Sequence, residues 1–147
     1  GMGEMTDQLR EKGYREAMEE AGLEPLIAVG NYRLESGIEC AREILSTNKD
    51  VTAIFAAGDQ MAIGVLEYAK ENGIKVPEQL AVAGFDGSIA SGLTTPRLTT
   101  CDLPMKEIGQ EAAEMIIQMI EEGVVAEPIE KVLPVEVIKR ESTIGNK

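Results

Sequence analysis

Two carboxylates and one aromatic side chain stand where an open parallel sheet would gather a ligand. Asp86 follows the apolar run AVAGF, Ala81–Phe85, and precedes Gly87. Asp59 follows the apolar run TAIFAA, Thr52–Ala57, across Gly58. Asn31 and Tyr32 follow PLIAVG, Pro25–Gly30. If each run is a strand of one sheet, these residues fall at the carboxyl ends of the strands, the side on which open α/β sheets bind ligands. An ionised carboxylate accepts hydrogen bonds from two hydroxyls or from a purine N–H. A tyrosine offers a flat face on which a ligand can stack. Each residue also has a plainer use. Asp59 stands where a helix cap belongs, a role worth about 1 kcal/mol. Asp86 can open an Asx turn, and Tyr32 can pack on a loop surface.

Catalysis has little to work with. The chain contains no histidine, which removes His-based triads and the commonest metal ligand. A carboxylate mechanism using Asp59 and Asp86 is the one enzymatic option left, and no activated nucleophile accompanies it. No enzyme activity, cofactor or metal site is expected. The glycines form neither a Gly-x-x-x-x-Gly-Lys-Ser/Thr loop nor dinucleotide spacing. Cys40 and Cys101 stand far apart and show no metal or disulfide framework. They are expected to be free thiols in a reducing cytoplasm.

The elements that must position the polar residues follow from pattern. Of the 147 residues, 44% are hydrophobic and only 3% aromatic, so one domain with an aliphatic, Met-rich core is expected. The formal charge of −12 argues against the chain itself gripping phosphates, because nucleic-acid affinity rests on Lys and Arg. No apolar stretch approaches the roughly 20 residues of a membrane span. Helical spacing links Leu9, Gly13, Ala17, Met18 and Ala21, with Gly22 as a stop. It recurs over Ile38, Ala41, Ile44 and Leu45. It returns over Ala62, Ile63, Leu66 and Ala69, and again from Met105 to Met119. Three apolar runs, 25–30, 52–57 and 80–85, alternate with these helices. Such alternation implies an α/β fold with a parallel sheet covered on both faces. A final extended run covers Ile129–Ile138. The long irregular stretch Asp86–Leu98 has the length of a functional loop.

Several ordered motifs carry a family resemblance. AVAGFDG, Ala81–Gly87, is followed by TPRLTT, Thr95–Thr100. TAIFAAGDQMAIGVLEYAKENGIKVPEQL stands upstream from Thr52, and LREKGYREAMEEAG, Leu9–Gly22, precedes it. LPVEVIKREST, Leu133–Thr143, closes the series. The chain resembles the C-terminal part of the effector-binding core of LacI-family transcription regulators. That resemblance implies a parallel three-layer sandwich of the type I periplasmic-binding-protein-like lobe, present as an incomplete fragment. It implies residues 2–103 as the effector-binding lobe without its first strand, 104–127 as a helix that crosses to the other lobe, and 128–147 as a final strand and tail. It implies that Asp86 contacts the effector and that Asp59 lies near it, one oxygen capping the helix and the other accepting from a ligand. Arg10, from the Arg-x-x-Gly-aromatic motif, would contact the effector too. Tyr32 would stack on it. Without the motif, Arg10 would read as a solvated helix charge.

Further consequences follow from the resemblance. The partners would be a small-molecule effector such as a sugar or nucleoside, and a second copy in a homodimer. DNA would be reached only through a helix-turn-helix headpiece that this chain lacks, and a membrane not at all. The chain would be cytoplasmic. The rival reading is a lobe of a periplasmic sugar-binding protein serving a transporter. Gly58 stands where sugar-responsive members often carry Asn, and Leu103 where some carry a ligand-facing Gln. Both changes remove hydrogen-bonding groups. Gly1 before Met2 reads as an expression scar. Without the family's central first strand, a slot flanked by strand edges is expected, and the run from Ile129 to Ile138 is a candidate to fill it, within one chain or by a swap between two. The apolar stripe of Ile108, Ala112, Met115, Ile116 and Met119 would stay unburied.

Overall fold

A computed structural model describes residues 2–123 and 130–144. The elements run α1 (Met2–Glu20), α2 (Leu34–Thr47), β1 (Ala53–Phe55), α3 (Asp59–Glu71), β2 (Ala81–Asp86), a single 3-10 turn (Ile89–Gly92), β3 (Thr99–Asp102), α4 (Met105–Glu122) and β4 (Glu136–Ile138). The four strands form one sheet in the order β1-β2-β3-β4. β1, β2 and β3 are parallel, with Ala53 opposite Ala81 and Ala83 opposite Thr99. β4 runs antiparallel to β3, placing Ile138 opposite Thr100. The sheet is therefore mixed but mostly parallel, in keeping with the α/β fold expected.

The core lies between the sheet and α3, with α2 packed behind. Val82 and Leu98 of the sheet side, Ala62, Val65 and Ala69 of α3 and Ala41 of α2 are all buried. α3 approaches the sheet closely at Gly84: a Cβ there would run into Asp59 Oδ1 and come within 3.1 Å of the Ala62 Cβ. The opposite face is more open, and Phe55 remains 43% exposed. α1 ends as its glycine predicts, with the Leu23 amide donating to the Met18 carbonyl.

The tail earns its place by satisfying the sheet where two strands diverge. Ser142 is fully buried. Its carbonyl accepts from the Val82 amide at 2.9 Å, and its hydroxyl donates to the Val82 carbonyl at 2.6 Å. The same hydroxyl accepts from the Thr99 amide at 2.8 Å. Arg140 donates from Nη1 to Ser91 Oγ and to the Leu98 carbonyl. The KREST segment thus does for the ends of β2 and β3 what a further strand pair would do.

Three expectations are corrected. Residues 25–30 form no strand; the Leu26 amide donates to the Tyr14 hydroxyl rather than to a neighbouring strand, and Leu26, Ile27 and Val29 are exposed. A strand exists only with a hydrogen-bonded neighbour, and β1 pairs on one side only, with β2. Between the 25–30 segment and β1 lies a cleft of about 760 Å³, roofed by α1. This is the expected slot. The run expected to fill it does not: residues 136–138 pair with β3 at the opposite edge of the sheet, and Ile129 lies outside the described residues. Only those three residues of the final extended run form strand. The apolar stripe of α4 is largely solvent-facing, with Ile108, Ile116 and Met119 all exposed. No helix among the described residues is long and apolar enough to cross a membrane.

Candidate functional site

The carboxyl ends of β1 and β2 meet the start of α3 and the turn before α2. Asp86 is the last residue of β2 and adopts φ 121°. Tyr32, in the turn before α2, adopts φ 66°. Both lie in the left-handed region that side-chain-bearing residues seldom occupy, a recurrent mark of functional positions. The Tyr32 backbone is held by its surroundings: the Asn31 amide donates to Ser36 Oγ, the Arg33 amide to Asn31 Oδ1, and the Tyr32 amide to Met61 Sδ. Gly58 separates the two strained residues. A Cβ at Gly58 would lie 3.1 Å from Tyr32 Cδ1 and 3.4 Å from Asp86 Oδ2.

Arg10 comes from α1 to the same mouth. Its Nη1 donates to the Ala57 carbonyl at 2.7 Å, one residue before Gly58. Its guanidinium carbon stands 4.2 Å from the Phe85 ring centroid and 6.0 Å from that of Tyr32. The first distance is a close cation–π contact. Phe85 in turn meets Phe55 edge-on, with centroids 6.5 Å apart and ring planes at 73°. These two are the only phenylalanines in the chain; Phe55 ends β1 and Phe85 is the last residue but one of β2. Phe85 was read merely as the end of a buried strand; its pairing with Arg10 crosses 75 positions of sequence, which no local pattern reveals.

Asp59 lies at the junction but not on its surface. It is 1% exposed. Its Oδ1 accepts from the Thr100 hydroxyl at 2.6 Å, and its Oδ2 accepts from both the amide and the hydroxyl of Ser88 at 2.7 Å. The expectation that Asp59 caps α3 is corrected. Gly58 is the N-cap, with no side-chain cap bond, and Asp59 is the first helical residue. Its carboxylate turns instead toward β3 and the turn after β2. Both oxygens accept from protein donors and the side chain is buried, so Asp59 faces the protein rather than the mouth. Sequence reading missed Ser88 and Thr100, which explain why an acid stands there.

Electrostatics favour a poised carboxylate at Asp86. Burial pushes its carboxyl above the usual aspartate range. A hydrogen bond from the Asp59 backbone and the Arg10 guanidinium pull it back, while the nearby Asp59 carboxylate adds to the rise. Cys101, opposite Phe85 on β3, has its thiol pushed up by burial first and then by Asp59, with Arg10 opposing. It is therefore held as a thiol. No group of three or more His, Cys, Asp or Glu able to hold a metal ion exists among the described residues.

A guanidinium, a tyrosine ring and a partly desolvated carboxylate thus gather at the strand ends of an open α/β sheet. The chain belongs to the periplasmic binding protein-like domain family, whose model matches residues 3–143. It is 36% identical over 136 residues to the HTH-type transcriptional regulator CelR of Thermobifida fusca, covering 90% of this chain and 40% of that protein. The solved CelR–cellobiose complex matches with a TM-score of 0.84 at 35% identity, over 90% of this chain and 41% of that one. The lac repressor dimer bound to operator and the anti-inducer ONPF matches with a TM-score of 0.86 at 26% identity, over 95% of this chain and 42% of that one. The chain thus spans about 40% of the length of these proteins, and what it matches is the effector-binding domain of LacI-family regulators.

Proposed function

We propose that this chain is the effector-sensing lobe of a LacI-type transcription regulator. The observation that carries this reading is the convergence of Arg10, Tyr32 and Asp86 around Gly58 at the carboxyl ends of β1 and β2. Asp86 accepts from ligand hydroxyl or N–H groups. Tyr32 offers a stacking face. Arg10 keeps the Ala57 carbonyl and the Phe85 ring in place and carries positive charge to the mouth. Asp59 acts by holding the turn that presents Asp86.

The effector belongs to the class of small cyclic, hydrogen-bonding molecules, with sugars first because CelR is solved with cellobiose. The relatives CelR and the lac repressor are transcription regulators, which favours this reading over a lobe serving a transporter. In the whole protein, DNA contact falls to another domain, since a net charge of −12 repels phosphates. A second copy of the regulator completes the working unit, as in the lac repressor dimer. The protein works in the cytoplasm.

The test is an NMR titration of the 147-residue chain with cellobiose, glucose, ribose and adenosine. Effector pockets enclose most of their ligand, and one lobe supplies about half the contacts, so affinity falls in the millimolar range. Shifts clustered at Arg10, Tyr32, Gly58 and Asp86 support the reading. Saturable shifts elsewhere, with these residues unmoved, overturn it.

A further inference from the structure

We infer that Arg140, in the tail, is a positioning residue for Asp86: its guanidinium holds the far end of the turn that follows β2, so that Asp86 keeps its conformation at the mouth. The inference rests on the effector-site reading and adds to it a link between docking of the tail and binding of the ligand.

Arg140 turns its charge to neutral acceptors. Among the described residues no carboxylate stands within ion-pair distance of it. Its Nη1 donates to Ser91 Oγ at 2.8 Å and to the Leu98 carbonyl at 2.9 Å, partners 49 and 42 positions away. A Cβ on Gly92 would stand 4.0 Å from Cζ, Nη1 and Nη2 alike, so the guanidinium lies face-on to that glycine. A planar donor packed on its face and bonded at its edge suits arginine and not lysine. The Arg140 backbone is docked as well. Its amide donates to Thr99 Oγ1 at 2.8 Å, and the Ser142 amide donates to the Arg97 carbonyl at 3.0 Å.

From Ser91 the bonds run to the mouth. Ser91 is fully buried. Its hydroxyl accepts from Arg140 and donates to the Ser88 carbonyl at 2.6 Å. The Ser88 amide and hydroxyl bond to Asp59, and Gly87 alone stands between Ser88 and Asp86. The Ser91 carbonyl accepts from the Leu98 amide at 2.9 Å. Arg140 therefore clasps both the 3-10 turn and the residue that leads into β3. Linked bonds of this kind strengthen one another in a low-dielectric interior.

Asp86 needs that clasp because of its backbone. A φ of 121° persists only where the surroundings enforce it. Asp59 fixes the amide and hydroxyl of Ser88. Arg140, through Ser91, fixes its carbonyl. With the first anchor alone, the chain can turn about Ser88 and Asp86 relaxes to a negative φ. Docking of the tail and binding at the mouth then favour one another, since both depend on one conformation of Asp86.

The variants are Arg140→Gln, Arg140→Lys, Ser91→Ala and the Arg140→Gln/Ser91→Ala pair, with Ser142→Ala as a tail variant that keeps the guanidinium. Each is read without ligand by melting and by the three-bond HN–Hα coupling of Asp86, which reports φ, and then by titration with cellobiose. Arg140→Gln should move the coupling toward that of a negative φ and weaken cellobiose about fivefold. Arg140→Lys, still able to reach one acceptor, should fall between it and the parent. Ser91→Ala should reproduce the shift, and the pair should weaken binding less than about twofold beyond it. Ser142→Ala should lower the melting temperature and leave the Asp86 coupling at the parent value. An unchanged coupling in Arg140→Gln overturns the inference, and so does an equal shift in Ser142→Ala. If Arg140→Gln does not fold, Arg140→Lys and Ser91→Ala decide by the same readouts. If none of the three folds, Arg140 serves the fold alone and the inference is overturned. If cellobiose and adenosine move neither Tyr32 nor Asp86 of the parent, the effector-site reading fails. The coupling measured without ligand still shows whether Arg140 holds Asp86, so the two failures are told apart.

Discussion

A single oxygen of Asp59 accepts both the backbone amide and the hydroxyl of Ser88, each at 2.7 Å. The two residues are 29 apart in sequence. With Thr100 on the other oxygen at 2.6 Å, one buried carboxylate fastens α3, the turn after β2 and β3 to one another. Asp86 ends β2, and Gly87 alone separates it from Ser88. The conformation of Asp86 at the mouth is thus fixed from behind.

Asp59→Ala should therefore destabilise the chain by about 3 kcal/mol or more, because it leaves buried donors of Ser88 and Thr100 unpaired. Asp59→Asn should cost less, since the amide oxygen still accepts on one side while its NH₂ faces donors on the other. Urea melts of the three proteins decide it. Equal stability of Asp59→Ala and the parent would show that the network carries no energy.

Asp86 should be the residue on which ligand affinity depends most. Asp86→Ala removes the carboxylate at the end of β2, and about 2 kcal/mol of binding should go with it, roughly a thirtyfold loss. The pH dependence follows from the raised pKa. Ligand donors need the carboxylate, so affinity is full above the folded pKa and falls as pH drops through it. That fall should begin at a higher pH than for an ordinary aspartate of about 3.9. Stability moves the other way. Ionising a partly desolvated acid costs stability above its folded pKa, and the cost is absent below its unfolded value. Asp86→Asn should thus be neutral or stabilising at pH 7 while it weakens binding. Calorimetric titration across pH, paired with melts, separates the two effects.

The tail offers a third test. Ser142→Ala removes a hydroxyl that donates to the Val82 carbonyl and accepts from the Thr99 amide in a fully buried site. The loss should be about 2–3 kcal/mol. Arg97→Ala, which breaks the exposed pair with Glu141 seen at 2.8 and 3.0 Å, should cost far less. Reversal of that order would mean that the tail is only loosely docked.

What could be read from the sequence depended on how local the cause was. α3 was legible because its buried positions recur at helical spacing, β2 because Leu80–Phe85 form a short continuous apolar run, and α4 because Met105 to Met119 keep one stripe. The convergence of Tyr32 and Asp86 was legible because strand ends share one side of a sheet. Residues 25–30 misled, since their apolar run is strand-like in composition but hydrogen bonding to a neighbour makes a strand. Asp59 misled for a related reason. Its position at a helix start fits a cap, and only the distant Ser88 and Thr100 show that its carboxylate turns elsewhere. Arg10 had no signal but its motif, because its partners, Ala57 and Phe85, lie far along the chain.

The free edge of β1 makes the last prediction. Alternation along a strand sends successive amides to opposite sides. Thr52 and Ala56 bond toward β2, through the Thr52 carbonyl to the Ala81 amide and the Ala56 amide to the Ala83 carbonyl. The amides of Ala53 and Phe55 therefore point into the 760 Å³ cleft. In dilute solution they should exchange with deuterium orders of magnitude faster than that of Ala56. An unpaired edge beside exposed apolar residues also favours association. As concentration rises, Ala53 and Phe55 should become protected together with growth of a dimer in light scattering, because a strand from a second chain can complete the sheet. Protection of α4 amides alone, with Ala53 and Phe55 still open, would place the contact on the Ile108–Met119 stripe instead. Full protection of both amides at every concentration, in a particle that stays monomeric, would show that the cleft is closed within one chain and that the edge is not free.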